Sequence, residues 1–90
     1  MEKDWYVYMV ECNDGSYYTG VTTDLDRRVK EHNNSPKGSK YTKTRRPVKL
    51  VYHEHVHNRS LACKLEAAWK KYPRKTKIAM INFLKKRQKS

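Results

Sequence analysis

The alternation of apolar and polar positions predicts a β-hairpin near the start of the chain. Residues 5–12, WYVYMVEC, are rich in aromatic and β-branched types. Both alternating sets of side chains are apolar, which is typical of a strand that is covered on both faces. The turn sequence NDGS follows, and a second strand is predicted over residues 16–22.

The length of the hairpin loop decides which side chains of the two strands share a face. A two-residue loop would place Tyr8 and Tyr18 on opposite faces of the sheet. A three-residue loop that ends on a left-handed Gly15 would instead pair Tyr8 with Gly20. The two tyrosines would then lie on one face. The sequence Asn-Asp-Gly favours the three-residue loop, because Asn and Asp tolerate its right-handed positions and Gly its last position.

The pattern then changes to helical spacing. Thr22 or Thr23 can cap a helix that extends to the segment NNSPKGS, residues 33–39. One face of this helix carries Leu25, Arg28, Val29 and His32. The two aliphatic side chains must pack on the sheet, so we expect Arg28 and His32 along the edge of the buried stripe.

The second half of the chain predicts one more strand and two more helices. Residues 40–47, KYTKTRRP, form a basic loop or a short helical turn. A strand follows, with one alternating set formed by Val48, Leu50 and Tyr52. Asn58 or Ser60 can cap a helix that reaches about Tyr72. A last basic helix, about 74–87, is predicted to bury Ile78, Ile81 and Leu84.

The predicted order of elements is β-β-α-(turn)-β-α-α. This order indicates an α+β fold in which helices pack against a three-stranded antiparallel sheet. We expect residues 1–90 to form one domain, since the chain shows no repeats and no linker.

Charge indicates a polyanionic partner. The chain has 21 Lys and Arg against nine Asp and Glu, a net charge of +12. Such a charge attracts phosphates without regard to sequence. It does not choose among DNA, RNA, the ribosome and anionic lipid. No apolar run approaches the roughly 20 residues that a membrane helix needs. The first residues lack the features of a signal peptide, which predicts a cytoplasmic location.

Two simple metal or redox interpretations find little support. His53, His55 and His57 could present three imidazoles on one side of a strand, a spacing that a zinc site can use. No fourth ligand is evident, so a solvent-facing strand edge is the preferred interpretation. Cys12 and Cys63 form no metal or disulfide pattern, and we expect reduced thiols.

The most specific signal is a set of short motifs. Residues 6–8 read YVY, residues 18–20 read YTG, Arg28 follows ten positions after Tyr18, and His32 follows four later. Glu66 lies on a later helix. In order and spacing this set resembles the GIY-YIG nuclease superfamily, whose two name motifs fall at YVY and YTG. Among its members the chain is most similar to the small standalone bacterial YhbQ-like proteins.

The resemblance implies a metal-dependent hydrolysis of phosphodiester bonds. Glu66 would hold Mg²⁺ or Mn²⁺, which acts as a Lewis acid. Arg28 would brace the phosphate with its planar fork of donors. Tyr18 or Tyr8 would deprotonate or orient the attacking water, and His32 would position Tyr8 or contact phosphate.

Two further expectations concern substrate contact. Gly20, opposite Tyr8, would leave room for the substrate backbone. The segment KYTKTRR would bind nucleic acid, with Tyr41 stacking on a base and phosphates contacted by Lys40, Lys43, Arg45 and Arg46. A basic loop that only keeps the protein soluble is an equally good interpretation of this segment.

The sequence therefore predicts a small metal-dependent endonuclease or nicking enzyme that acts on DNA rather than RNA, in DNA repair or processing. One alternative is a non-catalytic nucleic-acid-binding module with the same fold. Another is a basic protein that associates with RNA or the ribosome.

Overall fold

The computed structural model describes residues 4–88. The elements run in the order β1 Trp5–Glu11, β2 Tyr17–Thr22, α1 Leu25–Asn34, α2 Lys40–Lys43, β3 Lys49–Val56, α3 Arg59–Lys71 and α4 Arg74–Gln88. The three strands form one antiparallel sheet in the order β2-β1-β3. This arrangement confirms the predicted α+β fold and its order of elements.

The hairpin between β1 and β2 has the predicted three-residue loop. Gly15 adopts the left-handed conformation, with φ of 84°. The backbone N–H of Cys12 donates to the carbonyl of Ser16 over 2.8 Å and closes the loop. Tyr8 consequently pairs with Gly20, and the turn chemistry correctly predicted this register.

β3 contains an irregularity that the sequence did not reveal. Leu50 pairs with Val10, but Tyr52 pairs with Met9, so β3 has one extra residue at this point. The extra residue turns Tyr52 to the opposite face of the sheet from Leu50. The prediction that Tyr52 continues the face of Val48 and Leu50 is therefore wrong.

Hydrophobic clusters cover both faces of the sheet, because β1 is the central strand. On one face, α3 and α4 complete a cluster whose buried members are Val7, Met9, Ala62, Trp69 and Ile81. On the other face, Leu25 and Val29 of α1 pack against buried Tyr8, Val10, Cys12 and Val48. Apolar side chains on both alternations of β1 thus have partners, as predicted from WYVYMVEC.

The helix ends and the last helix differ in detail from the predictions. α1 is capped by Asp24, whose carboxylate accepts from the backbone N–H of Arg27, and not by Thr22 or Thr23. Asn58 caps α3 as one of the two predicted caps. In α4, Ile81 is buried but Ile78 is 37% exposed, which contradicts its predicted burial. Within residues 4–88, no helix combines the length and apolar character needed to cross a membrane.

Candidate active site

A tyrosine from the sheet and a histidine from the first helix form the centre of the site. Tyr8 lies on the central strand and is 1% exposed, and His32 lies in the last turn of α1 and is 0% exposed. The Tyr8 hydroxyl and His32 Nε2 are 2.7 Å apart. His32 was expected at the edge of the buried stripe of α1, but its side chain is fully buried.

The second ring nitrogen of His32 also has a partner. Nδ1 lies 2.9 Å from the Thr42 hydroxyl, which α2 brings under the imidazole. Thr42 is fully buried although the segment around it is basic. Sequence reasoning missed Thr42. The sequence feature that could have indicated Thr42 is its position three residues after Ser39. Ser39 caps a short helical turn, and this turn directs the Thr42 side chain inward.

Tyr18 joins this pair through its ring. Its centroid is 5.2 Å from that of His32, with the two rings edge-on, and 6.5 Å from that of Tyr8. The ring of Tyr41 stacks on Tyr18 at 6.0 Å. Tyr18 is only partly buried, so the tyrosine that faces the surface is Tyr18 rather than Tyr8.

Burial is the main reason why Tyr8 keeps its proton. Burial raises the pKa of Tyr8 to about 12, the nearby Arg28 guanidinium opposes this rise, and the Glu66 carboxylate adds to it. Burial, followed by the charge of Arg28, lowers the pKa of His32 to about 4. At neutral pH the tyrosine and the imidazole are therefore both uncharged.

The Arg28 guanidinium is held at the side of this pair. Its Nη1 donates to the Glu31 carboxylate over 3.1 Å and to the carbonyl of Lys37 over 3.0 Å. Arg28 is partly buried and acts electrostatically on both Tyr8 and His32. Arg28 thus lies at the edge of the buried stripe of α1, as its spacing predicted, whereas His32 is fully buried.

Glu66 approaches the site from the other side of the domain. It lies on α3, is 24% exposed, and its carboxylate is 3.6 Å from Lys70 Nζ. Its negative charge contributes to the raised pKa of Tyr8, less than burial does. In the part of the chain that is described, no three His, Cys, Asp or Glu side chains cluster as a metal site.

This donor set fits Mg²⁺ or Mn²⁺ better than zinc. Mg²⁺ is commonly bound through one or two carboxylates, and water and substrate phosphate supply its remaining ligands. A single partly exposed carboxylate such as Glu66 meets that requirement, whereas zinc needs three or four protein ligands.

Gly20 accommodates the Tyr8 side chain. A Cβ at position 20 would lie 2.5 Å from the Tyr8 hydroxyl oxygen and 2.7 Å from Cζ. The space above Gly20 is thus filled by the tyrosine ring, and not open for substrate backbone as the sequence had suggested. The glycine allows the tyrosine to reach His32 across the hairpin.

The two arginines of the basic segment are bonded within the protein. Arg45 Nε donates to Asp14 over 3.0 Å, and its guanidinium carbon lies 4.0 Å from the centre of the Tyr41 ring. Arg46 donates to the carbonyls of His32 and Ser35 at the end of α1. Arg46 therefore has a structural role.

The remaining members of the basic segment are open to solvent. The side chains of Lys40 and Lys43 are exposed, and Tyr41 is 38% exposed. Since Tyr41 stacks on Tyr18, the exposed part of α2 directly adjoins the candidate site.

His53, His55 and His57 are all exposed, and the rings of His55 and His57 lie edge-on with centroids 5.7 Å apart. β3 ends at Val56, so His57 lies beyond it. His55 Nε2 contacts the Asp4 carboxylate at 2.8 Å, and His53 is exposed. This arrangement agrees with the preferred interpretation of a solvent-facing strand edge.

Comparison with known proteins identifies the class of domain to which this fold belongs. Residues 4–79 match the sequence profile of the GIY-YIG catalytic domain. The chain therefore belongs to the GIY-YIG family, in agreement with the motifs in its sequence.

The chain is similar to several bacterial UPF0213 proteins. UPF0213 protein DP2720 of Desulfotalea psychrophila is 56% identical over 66 residues, which are 73% of this chain and 60% of that relative. The matched segment thus spans less than two thirds of that protein. UPF0213 protein SERP0126 of Staphylococcus epidermidis is 54% identical over 84% of this chain and 92% of its own length.

Two solved structures share the fold. The protein EF2693 of E. faecalis, solved by NMR, is 44% identical with a TM-score of 0.60, over 100% of this chain and 94% of the other. The NMR structure of UPF0213 protein BH0048 of Bacillus halodurans is 42% identical with a TM-score of 0.57, over 89% and 84% of the two chains.

Proposed function

We propose that this protein is a divalent-metal-dependent endonuclease that hydrolyses phosphodiester bonds in DNA. The observation that carries the proposal is the 2.7 Å contact between the Tyr8 hydroxyl and His32 Nε2, with the ring of Tyr18 edge-on against His32. Arg28 and Glu66 come from different helices, and both act on the pKa of Tyr8. A cation and a carboxylate beside a tyrosine pair are the groups that an in-line attack on phosphate requires.

Each group has a distinct role in this proposal. Glu66 would hold Mg²⁺ or Mn²⁺, which would supply charge neutralisation for the phosphate and the leaving oxygen. Arg28 donates to a non-bridging phosphate oxygen. Its present partners, Glu31 and the carbonyl of Lys37, keep its guanidinium beside the site.

The attacking water is assigned to Tyr18. Tyr18 is the more exposed of the two tyrosines, whereas the Tyr8 hydroxyl is buried and bonded to His32. The Tyr8–His32 pair lies behind Tyr18 and fixes its ring. The exposed lysines of α2, Lys40 and Lys43, contact neighbouring phosphates.

As part of the same proposal, the net charge of +12 favours a nucleic acid as the substrate. We infer that DNA is preferred to RNA, in a cytoplasmic repair or processing step. A non-catalytic nucleic-acid-binding module is the second candidate. It is favoured by one observation, namely that the Arg28 guanidinium already has two partners within the protein.

The first prediction tests the role of Glu66. Cleavage of supercoiled plasmid and of branched DNA is measured with Mg²⁺ or Mn²⁺ and with EDTA. We expect metal-dependent nicking, and Glu66→Gln should reduce its rate by at least about 100-fold, because charge neutralisation by a metal is worth several kcal/mol in the transition state.

The matched control is Glu54→Gln. Glu54 is exposed on β3, on the opposite face of the sheet from Tyr8, and its substitution should leave the rate unchanged. Gel-shift binding should survive in both variants. If the wild type binds DNA but does not cleave it with either metal, the endonuclease proposal fails and the binding module is supported.

A further inference from the structure

Two hydroxyl groups form a second layer beneath His32. The Thr42 hydroxyl oxygen lies 3.1 Å from the carbonyl oxygen of Ser39 and 3.0 Å from its side-chain oxygen. The same Ser39 side chain accepts from the backbone N–H of Thr42 over 3.1 Å and caps α2. Neither hydroxyl belongs to the tyrosine, arginine and glutamate set described above.

Counting protons in this network distinguishes the two tautomers of the imidazole. The carbonyl of Ser39 can only accept, whereas the Ser39 hydroxyl can also donate to Thr42, and we therefore assign the single proton of the Thr42 hydroxyl to that carbonyl. Thr42 must then accept from His32 Nδ1–H. Nε2 is left without a proton and accepts the hydroxyl proton of Tyr8.

The opposite tautomer leaves the hydroxyl proton of Tyr8 without an acceptor. If Nε2 carried the proton, it would donate to the Tyr8 oxygen, and the proton of Tyr8 would lose this acceptor. Thr42 would also have to turn its proton to Nδ1, and the carbonyl of Ser39 would keep only the backbone N–H of Lys43 as its donor. A hydroxyl without an acceptor is unfavourable in a buried site, and Tyr8, His32 and Thr42 are all fully buried.

We propose that Thr42, assisted by Ser39, is a positioning residue that holds His32 as the Nδ1–H tautomer and thereby makes Tyr8 the donor in the Tyr8–His32 hydrogen bond. Because the proton of Tyr8 then points to His32, the other side of its oxygen can only accept hydrogen bonds. Toward Arg28 and the site, Tyr8 is a fixed acceptor.

The catalytic part of this inference rests on the proposed function. An acceptor at Tyr8 orients a donor such as the Arg28 guanidinium or the attacking water, and it cannot donate to phosphate. The burial of His32, with its pKa at about 4, keeps the imidazole neutral, so the direction of the bond does not change at physiological pH.

The test combines a spectroscopic and a kinetic measurement. Long-range ¹H–¹⁵N NMR spectra of the full chain report which ring nitrogen of His32 carries the proton. The variants are Thr42→Val, which removes the hydroxyl at nearly constant shape, and Thr42→Ser, which keeps it. Thr44→Val is the matched control, because Thr44 lies two residues after Thr42 and its side chain is exposed.

We expect the Nδ1–H form in the wild type, in Thr42→Ser and in Thr44→Val. Thr42→Val should shift the ring towards the Nε2–H form, because Nδ1–H would have no acceptor. A wild-type ring protonated on Nε2, or a Thr42→Val ring that keeps the wild-type form, would overturn the assignment. If Thr42→Val does not fold, the assignment would be overturned by a Thr42→Ser protein in which His32 carries its proton on Nε2.

The kinetic measurement uses plasmid nicking. Thr42→Val should lower kcat by roughly 10- to 100-fold at unchanged KM, the range typical when the partner that orients a functional imidazole is removed. Thr42→Ser should restore most of the rate. A shifted tautomer with unchanged kcat would overturn the positioning role, whereas absence of cleavage by the wild type would overturn the proposed function and leave the tautomer assignment to the spectra.

Discussion

A buried histidine makes the stability of this protein depend on pH. The pKa of His32 is lowered from 6.5 to about 4 by burial and by the charge of Arg28. Between pH 6.5 and about 4, the unfolded chain therefore binds a proton on His32 that the folded protein does not bind. The contribution of the neutral His32 to the free energy of unfolding is complete above pH 6.5. It falls by about 2–3 kcal/mol as the pH falls towards 4.

Urea unfolding at pH 7 and at pH 4.5 measures this loss. The comparison is with His32→Gln, which cannot titrate at this position, while the exposed histidines remain in both proteins. We expect the free energy of unfolding of the wild type to fall more steeply with acidification. Equal losses in the two proteins would show that His32 titrates normally in the fold.

Gly20 is required by the tyrosine that it faces. In Gly20→Ala the new methyl group would lie 2.5 Å from the Tyr8 oxygen, so the ring must move away from His32. We expect a loss of about 1–3 kcal/mol in the free energy of unfolding, the usual cost of overpacking.

A double-mutant cycle identifies the cause of this loss. Tyr8→Phe removes the atom nearest to the added methyl group and also the hydrogen bond that holds the ring at His32. The ring can then move away, so Gly20→Ala should cost clearly less in the Tyr8→Phe background. Additive effects of the two substitutions would contradict the contact as the source of the loss.

At the level of single residues, the sequence predicted which side chains meet but not how deeply they lie. The turn NDG correctly predicted that Tyr8 opposes Gly20, because turn chemistry is local. Helical spacing assigned His32 to the right face but could not show that α2 would close over it. The role of Thr42 depends on that tertiary contact, so local sequence could not provide it.

The same division holds for whole elements. The order of strands and helices follows from local patterns, and the structure confirms it. The extra residue in β3 does not, because it depends on pairing with β1 across more than 35 positions of the chain. The cap of α1 is a similar case, since Thr22, Thr23 and Asp24 are all suitable cap residues.

The end of α1 depends on Arg46 for its order. The guanidinium of Arg46 donates to the carbonyls of His32 and Ser35, and so satisfies groups that a helix end leaves unpaired. Arg46→Lys keeps the charge but cannot reach several carbonyls at once. We expect a loss of about 1–2 kcal/mol in urea unfolding, and faster amide exchange in the last turn of α1.

The control for this prediction is Arg27→Lys. Arg27 is exposed on the same helix, and its substitution should change stability by less than about 0.5 kcal/mol. If Arg46→Lys is as stable as this control, then the contacts of Arg46 do not hold the helix end. Arg46 would again be a candidate for phosphate contact.

On the scale of the whole molecule, charge and geometry support different parts of the function. The net charge of +12 is spread along the chain and attracts any nucleic acid. In the proposed function, the residues of β1, β2, α1, α2 and α3 around Tyr8 decide what happens to a bound phosphate. Affinity and cleavage should therefore be separable by mutation.

Salt dependence tests the first of these parts. Each lysine that contacts a phosphate adds close to one unit to the slope of log K against log salt. Fluorescence anisotropy with a short duplex should show a steep negative slope for the wild type. Lys40→Ala and Lys43→Ala should each reduce that slope by about one, since both side chains are exposed on α2 beside Tyr18 and Tyr41.

Lys30→Ala removes the same charge from the exposed side of α1, near the acidic Asp26. This control should change the slope by clearly less, because the local acidic groups already offset that lysine. Equal effects at all three positions would mean that the protein binds DNA through its overall charge. A selective effect at α2 would instead place the DNA backbone next to Tyr18, where the proposed reaction needs it.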